Sequence, residues 1–490
     1  MQNRSPYEPI LYVCLIGFGL LAGLFWNKFV RKEKIGSDTK IEQVMGLVQS
    51  EYVDSVSSDE IEEKAISEML SSFDPHSVYI PHQYVELANQ DLKDGFDGIG
   101  IEFFLYGDTP YVVRVLEGGS AQKAGILPGD RILSVDTLSL IGLDNKDVIR
   151  AIKGKKNSSF SAGVYRKSKS EHLELEVKRA RVKTPSVFVT QIDRSTLYAK
   201  IEHFAEKTHS EFVDQVTELK NKDTKALVLD LRGNPGGYLQ TAIELLDEIV
   251  DGNDLLAYTR SKARKERKYY AQPGGLCAEM EVVCLVNGRS ASASEIVSGA
   301  LQDLDRATVI GSQTYGKGLV QETFQLGDGS QVRLTVSRYY IPSGRSIQKP
   351  YDQDGYQHLD SADLANTGES FETKSGRKVK SMGGVTPDLI VTNKANRSYV
   401  WVGTKAAQLI DVYQTKWVAM SAEEWLSSDE VAEVTRDMAG DSTHLITPLK
   451  KRLVYQLFGP EEERKFGFVS DNVLNSAMAE LRDPTVLVHP

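Results

Sequence analysis

Hydrophobic positions along the chain change their period several times, and each change marks an element. Ile10 to Trp26 is an unbroken apolar, uncharged run, about the length of a short membrane span. Ile41, Val44, Met45, Leu47 and Val48 recur at helical spacing, as do Ile61, Ala65, Ile66, Met69 and Leu70, so residues 38–94 read as a helical N-terminal region. From about Gly95 to Arg179 the pattern shortens to strands and turns. Thr196 to Phe204 then alternates like a strand, Phe212 to Leu219 reads as a helix, and Ala226 to Leu231 as a buried strand. Glu281 to Val286 is another apolar strand, and Ile296, Val297, Ala300, Leu301 and Leu304 predict a helix over Glu295 to Leu304. Gln331 to Tyr340 predicts a further strand, and the polar stretch Asp352 to Lys380 an exposed hairpin or loop. Beyond residue 396, Ala406 to Trp417 and Val431 to Met438 have helical patterns. The tail 396–490 is therefore expected to be helical, packing on the core or self-associating.

Composition narrows the function classes. A chain of 490 residues holds several domains, and 41% hydrophobic with 26% charged residues is ordinary for a globular protein. The net charge of −10 supplies no basic field for nucleic acid. Of the three cysteines, Cys14 lies in the apolar run; Cys277 and Cys284 read as buried small hydrophobes, with a bridge between them left open. No Cys/His metal spacing occurs, and no metal or cofactor is expected.

The chemistry concentrates between Asn287 and Gln321. Asn287-Gly288-Arg289-Ser290-Ala291-Ser292-Ala293-Ser294-Glu295 places serines where a strand turns into a helix. Unpaired N–H groups opening such a helix can face a developing oxyanion. Ser292-x-x-Glu295 also fits a plain capping box. Thr314-Tyr315-Gly316-Lys317-Gly318 adds a lysine between two glycines, with Gln321 four residues on, on the same face of a strand or a helix. Such a lysine could serve as the base for a serine, with no histidine required.

These residues resemble the carboxyl-terminal processing peptidases, also called tail-specific proteases. The resemblance makes Ser292 the nucleophile and Lys317, 25 residues on, its base, with Gln321 orienting the amine. Asp230-Leu231-Arg232-Gly233-Asn234-Pro235-Gly236-Gly237 is similar to the family's Asp-Leu-Arg-x-Asn-x-Gly-Gly. By itself it reads equally as a tight turn or as a glycine-lined nest. With the resemblance, Gly236 and Gly237 become candidates for one oxyanion donor and the Ala293 amide for the other. Phe73-Asp74-Pro75-His76-Ser77-Val78-Tyr79 resembles the family's Leu-Asp-Pro-His-Ser-x-Tyr, and His76 is expected to be structural. Gly383-Gly384-Val385-Thr386-Pro387-Asp388 resembles another family signature, and the resemblance implies that it closes the protease core.

Gly98-Ile99-Gly100-Ile101-Glu102-Phe103 resembles the carboxylate-binding loop of PDZ domains, and Gly119 to Leu133 the PDZ signature. Consecutive N–H groups in a glycine-rich turn can hold a chain-end carboxylate while the peptide adds a strand to the sheet edge. Gly98, Ile99, Gly100, Ile101 and Phe103 are the expected peptide-binding residues. Ile152-Lys153-Gly154 departs from the Arg-Gly that family members often carry, and lysine does not reproduce arginine's planar fork.

The expected architecture is an α+β multidomain protein. Residues 1–9 form a tail, 10–27 an uncleaved membrane helix, 38–94 a helical region, 95–180 a PDZ domain, 181–395 a ClpP/crotonase-like α/β protease core and 396–490 a helical C-terminal region. Lys28, Arg31, Lys32 and Lys34 follow the span, so the positive-inside rule would place the bulk of the chain in the cytoplasm. The resemblance implies the opposite, a single-pass inner-membrane protein with its catalytic part in the periplasm or cell envelope, and the expectation follows it. The expected function is a serine endopeptidase acting on polypeptides with exposed C-termini. A homo-oligomer and an activating or adaptor protein are compatible with it. The alternative is a catalytically silent PDZ scaffold on a protease fold.

Overall fold

Thr39 and Ser57 each accept the N–H three residues on, and these caps start α1 (Lys40–Glu51) and α2 (Ser58–Ser71). The computed structural model describes residues 39–89, 95–154, 157–352, 355–356, 369–381, 383–391, 399–438 and 445–484. The expected membrane helix, 10–27, lies outside them; among the described residues no helix is long and apolar enough to cross a membrane. Helix α1 forms as its pattern predicts, but Ile41, Val44 and Leu47 are 58–60% exposed, so its stripe is not a core face within the described chain. After α2, the Asp74 carboxylate accepts the N–H groups of His76 and Ser77, at 2.8 and 2.9 Å. That turn launches β1 (Val78–Ile80), which pairs antiparallel with residues 331–333.

Residues 95–182 form an antiparallel unit. Its main strands are β2 (Phe96–Gly98), β3 (Ile101–Tyr106), β4 (Thr109–Val115), β5 (Arg131–Val135), β6 (Ser159–Arg166), β7 (Glu171–Lys178) and β8 (Ala180–Val182), with a two-residue strand, Leu138–Ser139, folded back on β5. The main sheet runs β3-β4-β5-β6-β7, and β2 pairs with β8 at the unit's two ends. Helices α3 (Ser120–Ala124) and α4 (Asn145–Ile152) pack over it around Ile99, Val112, Ile126, Ile132, Val148 and Phe160. Asp130 is fully buried, and Arg166 meets it through Nε at 2.9 Å and Nη2 at 2.6 Å.

The next unit is built on a mainly parallel sheet of β9 (Val187–Gln191), β10 (Thr196–Ile201), β11 (Ala226–Asp230), β14 (Glu281–Val286), β15 (Thr308–Gly311) and β18 (Leu389–Ile390), in that order. Only β9 runs antiparallel to its neighbour. Every residue of β10 and β11 is buried, as a parallel sheet covered on both faces requires. Helices α5 (Thr208–Leu219), α6 (Leu239–Asp247) and α7 (Ala293–Asp303) contribute to the core on one face. A second sheet flanks this layer: β12 (Leu255–Arg260), β13 (Arg267–Tyr270), β16 (Leu319–Gln325) and β17 (Gln331–Tyr340), joined by β1. Cys277 and Cys284 are both free and buried. Nearly half of the expected polar loop, 353–354 and 357–368, lies outside the described residues; its described end forms a hairpin pairing Ser370–Glu372 with Lys378–Lys380.

The described tail residues, 399–438 and 445–484, are largely helical. They comprise α8 (Tyr399–Trp417), α9 (Ala422–Leu426), α10 (Asp429–Asp437), α11 (Ile446–Gly467) and α12 (Asn472–Arg482). The tail's own core includes Trp417, Trp425 and Leu449. Its last helix, α12, sets Val473, Leu474 and Ala477 against Tyr198, Val228, Val283, Leu285 and Ile310, covering the other face of the parallel sheet.

Candidate active site

Strands β11 and β14 are parallel neighbours, with Asp230 opposite Leu285. Their carboxyl ends therefore release two loops side by side, the place where open parallel sheets put their sites. The loops are laced together. Asn287 Oδ1 accepts the Gly233 N–H at 2.9 Å, and the Asn234 carbonyl takes the Ala291 N–H and the Ser294 hydroxyl, both at 3.0 Å. Ser290 Oγ donates to the Leu231 carbonyl at 2.8 Å. Ser290 and Ser294 are fully buried scaffold residues; Ser292 alone of the cluster is partly exposed. Its φ of +55° and ψ of −114° are rare for an L-residue, a strain typical of functional turns.

Glu295 does more than cap α7. Its buried carboxylate accepts the Ser292 N–H through Oε2 at 2.9 Å, the reach-back half of the predicted capping box. The same Oε2 accepts the Lys317 N–H at 2.9 Å, and Oε1 accepts the Thr314 hydroxyl at 2.5 Å and the Gly316 N–H at 2.7 Å. Tyr339, on β17, donates from its hydroxyl toward the carbonyls of both Ser292, at 3.0 Å, and Lys317. Serine and lysine, 25 residues apart in sequence, are thus joined by a carboxylate on their amides and a phenol on their carbonyls. Burial pushes Glu295 up to about 7, against the opposing pull of these hydrogen bonds. Glu295 had a place in the sequence only as a cap, and Tyr339 only as a strand residue, because neither role is visible until the two loops meet.

Lys317 Nζ donates to Gln321 Oε1 at 2.8 Å, as the spacing suggested, and among the described residues no hydrogen bond joins it to Ser292 Oγ. Gln321 is turned by its other end, since its amide nitrogen donates to the His76 carbonyl. The 73–77 motif is therefore a wall of the site: His76 fixes the glutamine, while Asp74 accepts from Thr335 on β17 at 3.1 Å. Burial first, then the positive charge of Arg333, holds Lys317 below the usual lysine range. Burial and the neighbouring Lys317 push the His76 imidazole down to about 4.

The two glycines proposed for one oxyanion donor differ. Gly236 gives its N–H to Asn234 Oδ1 at 2.8 Å. The N–H groups of Gly237 and Ala293 have no acceptor among the described residues. Gly236 instead provides clearance: a Cβ there would lie 2.8 Å from Ser292 Cβ and 3.0 Å from the Ala293 nitrogen. In the antiparallel unit, the carbonyls of Ile99 and Gly100 accept from Ala121 and Leu116, at 2.8 and 2.9 Å. Their own N–H groups have no acceptor among the described residues, as a carboxylate receptor needs. Gly98 is the last residue of β2, and Ile101 and Phe103 pack half-buried against the unit's core along the edge strand β3.

The profile of peptidase family S41 matches residues 195–356, and that of the PDZ domain residues 111–166. The chain is 34% identical over 305 residues to the carboxy-terminal-processing protease of Bartonella bacilliformis, a match covering 61% of this chain and 70% of that one. The chain belongs to this family of carboxy-terminal processing proteases. It is also 34% identical over 314 residues to carboxy-terminal processing protease CtpB of Bacillus subtilis, covering 63% of this chain and 65% of that one. The match thus spans a little under two thirds of the Bacillus relative. A solved structure of a photosystem II D1 C-terminal processing protease aligns with a TM-score of 0.40 at 24% identity, covering 71% of this chain and 92% of that one. The matched PDZ domain fits the binding of peptide C-termini.

Proposed function

We propose that this protein is a membrane-anchored serine endopeptidase that recognises the carboxyl ends of polypeptides and cleaves them through Ser292 and Lys317. The observation that carries the reading is the double tie of Glu295 and Tyr339, which holds serine and lysine together beside two unclaimed N–H groups. Neutral Lys317 takes the Ser292 proton as Oγ attacks the scissile carbonyl carbon. The carbonyl oxygen becomes an oxyanion facing the amides of Gly237 and Ala293. Protonated Lys317 then delivers its proton to the leaving amine, the C–N bond breaks, and an acyl-enzyme ester remains. Water, deprotonated by Lys317, hydrolyses that ester and restores Ser292. Gln321 orients the amine, and the departure of Nζ toward Ser292 Oγ belongs to the substrate-bound state.

The polypeptide's terminal carboxylate would be received at the amides of Ile99 and Gly100, with its strand along β3 beside Ile101 and Phe103. Residues 10–27 would anchor the chain in the inner membrane with the catalytic part in the periplasm or cell envelope. Protease accessibility of membrane vesicles and of intact spheroplasts tests that side. The absent Ser292–Lys317 hydrogen bond favours one second reading, a silent PDZ scaffold.

Cleavage of an unfolded protein with a small apolar tail decides between them. The proposal requires hydrolysis by the wild type, a preference for that tail over a charged one, and loss of activity in Ser292→Ala and Lys317→Ala. Tail binding without hydrolysis would support the scaffold.

A further inference from the structure

The loop that carries the Gly237 donor begins at Arg232, and the end of that arginine is held by the C-terminal tail. Arg232 Nη1 meets Asp471 Oδ1 at 2.9 Å and Nη2 meets Asp471 Oδ2 at 2.8 Å, a bidentate pair. On its other edge the guanidinium meets Asp230, with Nε 3.0 Å from both carboxylate oxygens and Nη2 2.5 Å from Oδ2. The Arg232 N–H returns to Asp230 Oδ1 at 2.9 Å, and its carbonyl accepts from Lys200. Two carboxylates and two cations thus balance in a site where Asp230 and Lys200 are buried. Asp471 is also the N-cap of α12, accepting the N–H groups of Val473 and Leu474 at 3.1 and 3.2 Å.

The same tail grips the PDZ domain. Asp411 on α8 takes Arg131 in a bidentate pair at 3.0 Å, and Gln414 donates to the Pro128 carbonyl at 2.6 Å and to Asp130 at 2.9 Å. A Cβ on Gly129 would lie 2.5 Å from Ile410 Cγ2, so α8 sits directly on the PDZ signature turn. From α11, Tyr455 donates to Glu102 on β3, and Arg464 meets Glu202 on the core. One stretch of chain, 455–471, therefore runs from the peptide-binding strand to the arginine that opens the oxyanion loop.

We propose that the C-terminal helices are a positioning element of the active site, with Asp471 holding Arg232 and through it the Gly233–Gly237 loop in register with Ser292. This deepens the protease reading and rests on it. With Asp471 neutralised, Arg232 keeps Asp230 but loses its outer anchor, and one positive charge is left uncompensated in the four-residue network. Gly233 to Gly237 then keep their ties to Asn287, Ala291 and Ser294 and, through the Asn234 amide and the Gly236 carbonyl, to Ile201 and Phe204, but lose the brace at the Arg232 end.

The test separates bridging from capping, because asparagine caps helices as well as aspartate does. In the full-length protein, Asp471→Asn keeps the cap while removing the charge and one arm of the fork. We expect kcat to fall on the order of 10-fold, short of the ~100-fold that follows loss of a whole oxyanion donor. KM for a C-terminal peptide and Tm should stay near wild type, amide exchange across residues 232–237 should quicken, and Asp471→Glu should recover most of the rate. Arg194→Gln, which breaks an exposed pair with Asp223 elsewhere on the core, is the control. Unchanged exchange in Asp471→Asn, or quicker exchange with unaltered kcat, overturns the proposal. So does a loss of rate that merely follows Tm or that Asp471→Glu fails to recover. Absence of hydrolysis by the wild type would defeat the protease reading instead, and exchange across 232–237 would still decide whether Asp471 braces the loop.

Discussion

Gly237→Ala puts the assignment of the oxyanion donor at risk. Gly237 has φ of +144°, and a Cβ there would lie 2.1 Å from the Phe204 carbonyl oxygen and 2.7 Å from its carbon. Real Cβ contacts do not fall below 3.0 Å, so one backbone must retreat by about 0.9 Å. Phe204 is fully buried and its carbonyl also accepts the Tyr238 N–H at 2.8 Å, so the glycine loop is the side that yields. A displacement near 1 Å at a reacting group costs about 100-fold in rate, within reach of losing the donor outright. Backbone strain adds about 1–3 kcal/mol of destabilisation. Gly252→Ala is the matched control, because φ is +87° there and no heavy atom lies within 4 Å of the built Cβ. Single-turnover cleavage at saturating substrate, with thermal unfolding in parallel, should show kcat reduced about 100-fold in Gly237→Ala with KM little changed, while Gly252→Ala loses stability alone. A folded Gly237→Ala with kcat within a few-fold of wild type would show that its amide is not the donor.

Four further outcomes are expected. On the proposed mechanism Lys317 acts as the neutral amine, and burial with the nearby Arg333 holds it below the usual lysine range, so activity should rise with pH through a limb displaced downward from that range, and Arg333→Gln, which removes a positive neighbour, should move that limb upward in a pH–kcat/KM profile. The same depression gives stability a rising component: between the folded and unfolded Lys317 pKa values the unfolded chain binds more protons, so this cost of burial fades as pH rises, which denaturant titration at several pH values can follow. Glu295, raised to about 7, contributes with the opposite sign, fully below its unfolded value near 4.5 and lost as pH rises through about 7; Glu295→Gln places an NH2 among N–H donors and should lower both Tm and kcat, the latter on the order of 100-fold, and should abolish that stability component in the same titrations. Tyr339→Phe removes only the hydroxyl shared by the two carbonyls, so a loss of about 1 kcal/mol in stability and a several-fold lower kcat are expected, and unaltered kinetics would mean that the amide tie suffices.

The sequence by itself determined the local elements and which residues are candidates for the reactive groups. Helix α7, the buried strands, the glycine-rich loops and the lysine between glycines follow from periodicity and backbone freedom, which are short-range properties legible in one dimension. Lys317 and Gln321 could be paired because they are four apart. Tertiary structure decided which of these groups cooperate. Nothing local separates Ser292 from Ser290 and Ser294; that follows from whose hydroxyls are buried on the neighbouring loop. Gly236 and Gly237 differ as donors because the Asn234 side chain takes the N–H of the first. His76 enters the site by its carbonyl, which any residue possesses, and the exposed stripe of α1 shows that periodicity marks an apolar face without saying what covers it. Asp471 reaches Arg232 across 239 positions. A hydrogen bond needs contact in space, and contact between distant residues is set by how the layers pack, with α12 seated on the far face of the sheet and the two loops side by side at its strand ends.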